Sequence, residues 1–241
     1  YNEKEQTLDL SYLDLVRLPR LPRNVKYLFL SHNKLDRLPD LSSYEKLLVI
    51  DLSHNNLSKL PKLPKNIEEI CCSNNLINNI DNISELTKLK RLICSNNKIK
   101  NIVSHNNLEL LECDNNQLTL LNQYKNLNKL SCNNNLITMI HDLPKLKRLE
   151  CDNNKITEFR YLSKIEELYC SNNMLTCLEY YDFIKILHCV KNEIKKIPYY
   201  EKLTELLCDG DKINISQAYQ KRIDKIENYK DNIVQIYLSL K

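Results

Sequence analysis

The chain has one glycine, Gly210, no tryptophan, three phenylalanines and two methionines among its 241 residues. A single glycine excludes a glycine-rich loop around a phosphate, and no serine is framed by a G-x-S-x-G nucleophile elbow. No run of 18 apolar residues exists, so no segment reads as a membrane-spanning helix. The opening Tyr1-Asn2-Glu3-Lys4-Glu5-Gln6 is polar and lacks an apolar signal core, while the missing initiator methionine leaves processing or a larger parent chain open. Charge of one sign is also scarce. Lys plus Arg is 35 against 31 for Asp plus Glu, and the net +4 is too mild to make nucleic acid or a membrane surface the main partner. There is no C-x-x-C and the five histidines are scattered, which speaks against zinc.

What the chain has instead is repetition. From Leu92 to Ile213 one phrase recurs, Leu92-Ile93-Cys94-Ser95-Asn96-Asn97 and then Leu111-Glu112-Cys113-Asp114-Asn115-Asn116. Its cysteines fall at Cys94, Cys113, Cys132, Cys151, Cys170, Cys189 and Cys208, each 19 residues after the last. Units this small cannot bury a core alone and must stack on their neighbours. In L-x-x-L-x-L the last three positions alternate, so each unit predicts a short strand with one buried face, and in-register stacking makes a parallel sheet. The asparagine that follows sits where the chain turns. Its amide both donates and accepts, so a column of asparagines can satisfy backbone groups at each buried corner, and with glycine absent asparagine also has to supply left-handed turn residues.

Earlier units read Val25, Leu28, Leu30, Asn33, Leu35, Leu38-Pro39 and Leu47, Ile50, Leu52, Asn55, Leu57, Leu60-Pro61. L-x-x-L-x-L-x-x-N-x-L-x-x-L-P resembles the leucine-rich repeat, over about residues 8 to 213 and eleven units, the first and last imperfect. The Leu18-Pro19-Arg20-Leu21-Pro22 and Leu60-Pro61-Lys62-Leu63-Pro64 segments resemble the short repeats of bacterial effector proteins. The L-x-C-x-N-N units look more like those of large DNA viruses, protists and some bacterial surface proteins. The resemblance implies a mainly β, right-handed solenoid with one parallel concave sheet and partners held on that concave face. Only five residues, such as Val103 to Asn107, separate one unit's last apolar position from the next unit's first leucine, so the convex side predicts non-helical turns. One apolar pin per turn recurs at Tyr124, Leu143, Leu162, Tyr181 and Tyr200, and the longer units near Leu41-Tyr44 and Ile83-Leu86 hold two.

Eight of the ten cysteines share one inward slot, which leucine fills in earlier units, so they read as small buried hydrophobes in a reduced ladder. A cytoplasmic or other reducing compartment follows as an expectation, with a virion or cell surface as the alternative. The solenoid is expected over 1–213. Beyond it Tyr219, Ile223, Ile226, Ile233, Tyr237 and Leu240 recur at spacings of three, four and seven after Ser216, which predicts an amphipathic helix over 214–241. It reads either as a lid on the open end of the array or as a dimerising or partner-docking helix.

Outward strand positions make the candidate binding face. Tyr169, Ile186, His188, Val190 and Leu207 adjoin on three consecutive strands and predict an apolar patch, unless the terminal helix folds back over it. Ile93, Glu112, Arg148 and Glu150 extend the same face, where charges on neighbouring strands are expected to pair. His32 and His54 share one slot and should stack; without a third ligand the pair reads as a surface feature. Glu112 and Glu150 lie on an open face where nothing raises a carboxylate pKa for acid catalysis. No cofactor, metal or catalytic group is expected. A non-catalytic scaffold for a protein partner is the leading expectation. The alternatives are a structural component of a larger assembly, formed by self-association or incorporation, and the recognition arm of a larger ligase or effector, although no segment after the repeats is long enough for such a catalytic domain.

Overall fold

The computed structural model describes residues 2–209, 214–215, 223–228 and 233–238. It divides into two compact units, Tyr1–Leu118 and Thr119–Lys241. In the first, six three-residue strands, β1 (Thr7–Asp9), β2 (Tyr27–Phe29), β3 (Val49–Asp51), β4 (Glu69–Cys71), β5 (Arg91–Ile93) and β6 (Leu110–Glu112), pair in parallel in chain order. The register puts Leu8, Leu28, Ile50, Ile70, Leu92 and Leu111 in one column, and all six are buried. A three-residue strand has too few ladder bonds to persist alone. Each coil lends it four or five buried aliphatic side chains, for example Leu47, Ile50, Leu52, Leu57 and Leu60, each contributing roughly 1.5–3 kcal/mol when removed from water.

The second unit continues the pattern with β7 (Lys129–Ser131), β8 (Met139–Ile140), β9 (Arg148–Glu150), β10 (Glu158–Phe159), β11 (Glu167–Tyr169), β12 (Ile186–His188), β13 (Lys196–Ile197) and β14 (Glu205–Asp209). Strands β7, β9, β11, β12 and β14 form the parallel sheet. Strands β8, β10 and β13 follow asparagine corners; β8 pairs with β10, and β13 with β15 (Asn214–Ile215).

Two consecutive residues share the work of each corner. The first is left-handed: His32, His54, Asn74, Asn96, Asn115, Asn134, Asn153 and Asn172 all have φ between 54° and 58°. Asparagine is among the few residues that tolerate this region in place of glycine. The second asparagine points inward. Asn75 Nδ2 donates to the carbonyls of Leu52, Cys72 and Ser73 at 2.9–3.2 Å, and its Oδ1 accepts the Leu57 N–H at 2.9 Å. Asn33, Asn55, Asn97, Asn116, Asn154, Asn173 and Asn192 likewise bond both their own coil and the coil before.

The cysteine slot is buried at all eight positions from Cys72 to Cys208, as its exchange with leucine implied, and none of the ten cysteines is in a disulfide. The turn-side pins Tyr124, Leu143, Leu162, Tyr181 and Tyr200 are buried too. So is His105, 19 residues before Tyr124, whose Nε2 lies 2.7 Å from the Leu86 carbonyl oxygen. A 3₁₀ turn, Asp81–Glu85, occupies one of the longer units.

The helix expected over 214–241 is not what the described residues of that segment form. Ile223–Asn228 (β16) and Ile233–Leu238 (β17) are strands; β17 pairs antiparallel with β14 on one side and β16 on the other. Residues 216–222, 229–232 and 239–241 lie outside the described residues. The physical reason is twofold. Ile223, Ile226, Ile233, Val234 and Ile236 are β-branched, which favours strand over helix. The last parallel strand also presents a row of unpaired backbone groups that another strand can saturate along its whole length.

Candidate interaction surface

Strand pleating sends the residues flanking each inward leucine to the other face of the sheet. In the second unit these form two rows. Lys129, Arg148, Glu167, Ile186 and Glu205 make one, and Ser131, Glu150, Tyr169, His188 and Leu207 the other. The register brings Tyr169, Ile186, His188 and Leu207 together on three adjacent strands, as their spacing required, and each is half-buried. Val190 departs from the expected patch. It lies past the end of β12 and is only 5% exposed, so it offers a partner almost no surface.

The patch is amphipathic, not plainly apolar. Arg148 Nε donates to Glu150 Oε1 at 2.7 Å and its Nη1 to Glu167 Oε2, while its Cζ stands 4.9 Å from the centre of the Tyr169 ring. The hydrogen bond to Glu150 leads the effects that hold the guanidinium proton more tightly than usual. The Tyr169 hydroxyl donates to Glu167 Oε2 at 3.5 Å. The Tyr169 and His188 rings meet edge to face at 4.8 Å, and His188 Nε2 donates to Glu205 Oε1 at 2.9 Å. Arg148, Tyr169 and His188 are thus tied to one another and to Glu150, Glu167 and Glu205. Desolvation also pushes the Tyr169 hydroxyl above its ordinary pKa, so it stays a neutral donor.

Asp152, just beyond β9, accepts the Ser171 N–H at 2.5 Å, yet burial raises its carboxyl above the usual range, with Glu150 adding to the effect. Ile93 and Glu112 lie in the first unit, where they are register partners. That unit's outer face carries its own cross-strand pair, Arg91 Nε to Glu69 Oε2 at 3.1 Å. His32 and His54 stack at 4.0 Å as their shared slot predicted, and Tyr12 extends the stack at 4.3 Å. Among the described residues no three His, Cys, Asp or Glu side chains gather as a metal site, and no helix is long and apolar enough to cross a membrane.

Sequence reasoning missed three features: the arginine over Tyr169, the His188–Glu205 pair and the buried His105. The first two depend on rotamers, which a period does not encode. His105 was within reach, because it stands one period before Tyr124 in the column of turn-side pins.

No protein-family model matches the chain, and no curated protein matches it by sequence. Solved structures do. YopM from Yersinia enterocolitica WA-314 superposes with a TM-score of 0.68 at 27% identity, over 84% of this chain and 51% of that one. This chain has the leucine-rich repeat fold. The leucine-rich repeat domain of APL1B aligns at TM-score 0.68 and 19% identity, over 84% of this chain and 75% of that one. The octameric complex of Latrophilin 3, Unc5D and FLRT2, in which FLRT2 supplies the leucine-rich repeats, aligns at 0.68 and 23% over 86% and 74%. This leucine-rich repeat chain spans about half the length of the YopM chain.

Proposed function

We propose that the chain is a protein-interaction scaffold that holds a protein partner on the outer face of the sheet in its second unit, and that it performs no catalysis. One observation carries this reading. Tyr169, His188 and Leu207 sit side by side on β11, β12 and β14, half-buried and braced from beneath by inward side chains, so they present a rigid amphipathic surface at little entropic cost. Tyrosine and arginine are residues that interfaces favour. Leucine-rich repeat domains are typically interaction scaffolds, and the FLRT2 neighbour is itself part of an assembly with Latrophilin 3 and Unc5D. The same proposal includes a reducing compartment, supported by the eight thiols sealed in the core.

The test is an affinity capture from the native source, comparing the parent with a Tyr169→Glu, Leu207→Glu double variant whose inward ladder is untouched. A partner retained by the parent and lost by the variant supports the outer face. Identical partners from both overturn it and favour the ends of the array as contact sites.

A further inference from the structure

Two segments of the first unit share a pattern that the outer face of the second does not use. They are Arg17-Leu18-Pro19-Arg20-Leu21-Pro22-Arg23, between β1 and β2, and Lys59-Leu60-Pro61-Lys62-Leu63-Pro64-Lys65, between β3 and β4. Proline fixes φ and keeps the residue before it out of the helical region, so both segments run extended, outside helix and strand. Leu21, Leu60 and Leu63 are buried, while the six cations are all exposed. The coil between them, from Leu28 to Ile50, is two residues longer than those from Leu8 to Leu28 and from Ile50 to Ile70. Its added length is held as a turn: Asp40 Oδ1 accepts the Ser42 N–H at 2.8 Å and the Ser42 hydroxyl at 2.6 Å, and the Leu41 carbonyl accepts the Tyr44 N–H at 3.0 Å. This turn lines a cleft with each of the two segments. Arg20, Leu21, Arg23, Ser43 and Tyr44 line one, of about 310 Å³. The other, of about 480 Å³, is lined in part by Lys62 and Lys65 with Ser42, Glu45 and Glu85. The two differ in charge balance. Glu45 and Glu85 offset the lysines of the second cleft, whereas no carboxylate lines the first. Among the described residues neither the Arg20 nor the Arg23 guanidinium, nor the Ser43 hydroxyl, has a hydrogen-bond or ion-pair partner. Two like charges on one cleft without a counter-charge repel, and a bound anion removes that repulsion.

We propose that the Arg20–Arg23 cleft is a docking site for a phosphorylated side chain of a protein partner, distinct from the outer face of the second unit. The two guanidinium charges match the charge of about −1.5 to −2 that a phosphoryl group carries near neutral pH. Their planar forks suit its oxygens, and Ser43 adds a hydroxyl donor to the lining. A single carboxylate would leave one of the two cations uncompensated. Along the extended segment Arg17, Arg20 and Arg23 fall about 9 Å apart, far sparser than a nucleic-acid strand with a phosphate roughly every 3.4 Å of its axis. An extended polypeptide carries side chains at that wider interval, which makes a protein the fitting carrier of the phosphoryl group.

Immobilised degenerate peptides with a fixed central phosphoserine, phosphothreonine or phosphotyrosine, beside matched sets with central Ser, Thr, Tyr or Glu, test this by their retention of the full chain. Two variants are compared with the parent: Arg20→Gln with Arg23→Gln, which empties the cleft of charge, and Lys59→Gln with Lys65→Gln, which removes the same charge from the neighbouring segment. All four positions are exposed, and circular dichroism with thermal melts checks that both variants are folded. The parent is expected to bind a phosphorylated set in preference to its unphosphorylated and Glu-centred counterparts, and to be displaced by excess inorganic phosphate. Affinity should fall roughly tenfold or more in the arginine pair, as expected when charged hydrogen bonds are lost, and hold in the lysine pair. Equal retention on Glu-centred peptides overturns the phosphoryl assignment. Equal losses in both pairs would mean diffuse charge attraction and overturn the cleft, as would retention on no phosphorylated set.

Discussion

Asn75 reaches back 18 residues to accept the Leu57 backbone N–H at 2.9 Å, while its amide nitrogen serves the carbonyls of Leu52, Cys72 and Ser73. One side chain therefore closes the hydrogen-bond needs of two coils. Asn75→Ala leaves these groups unpaired in a buried corner and is expected to cost about 1–3 kcal/mol. Asn75→Asp keeps the acceptor for Leu57 but turns a negative charge on three carbonyl oxygens, and should cost more than alanine. Chemical denaturation of both variants checks the order. An aspartate variant as stable as the parent would mean the amide donors are not holding the coils together.

The cysteine ladder is a packing device. Cys94 is fully buried, and burial pushes its thiol far from ionisation. Cys94→Ser is expected to cost roughly 1–3 kcal/mol through an inadequately paired hydroxyl, with Cys94→Ala costing less. Melting curves that coincide with the parent's for both variants would show that the slot is not tightly packed.

Thiol reactivity gives an independent test of the same ladder. Cys177 is exposed and should react quickly in the native protein. Cys71 is half-buried with its pKa raised by burial and should react slowly, and Cys208, pushed up to about 12 by burial, should not react at all. In denaturant without reductant all ten thiols are expected to titrate. Two or fewer would overturn the reducing compartment.

Asp152 supplies a pH prediction. Its folded-state pKa is raised by burial above the ordinary 3.8, so its ionised form burdens the native state at neutral pH. Protonation relieves that burden as pH falls through the raised folded value, and the relief is complete below the unfolded value. Asn133 already does the equivalent job one coil earlier, its Oδ1 accepting the Asp152 N–H at 2.7 Å. Asp152→Asn should therefore raise the melting temperature at pH 7, with a gain that shrinks on acidification towards the unfolded pKa. A gain that grew on acidification would reverse the sign of the argument.

The strands after β14 can be checked by far-UV circular dichroism of the full chain against one ending at Asp209. The difference spectrum is expected to be strand-like. A helical difference spectrum would restore the helix that the three, four and seven spacing suggested.

That segment shows where a sequence period stops being informative. Ile223, Ile226 and Ile233 satisfy a helical spacing, yet their β-branched side chains and the open edge of β14 favour strand pairing. The binding face divides in the same way. That Tyr169, His188 and Leu207 are neighbours was legible, because a 19-residue step aligns them once the strands stack. That Arg148 covers Tyr169, that His188 bonds Glu205 and that Val190 is buried was not, because these follow from side-chain rotamers and from where a strand ends.

By itself, then, the sequence determined the repeat: the inward leucines and cysteines, the left-handed first corner residue, asparagine in most coils and His32 or His54 in two early ones, and the bonding second asparagine, all of them local demands that recur from coil to coil. The tertiary structure alone decided the pairing of outward side chains across strands and the strand closure at the C-terminal edge. Those depend on which residues meet from separate coils, and a competition between partners distant in sequence leaves no periodic trace.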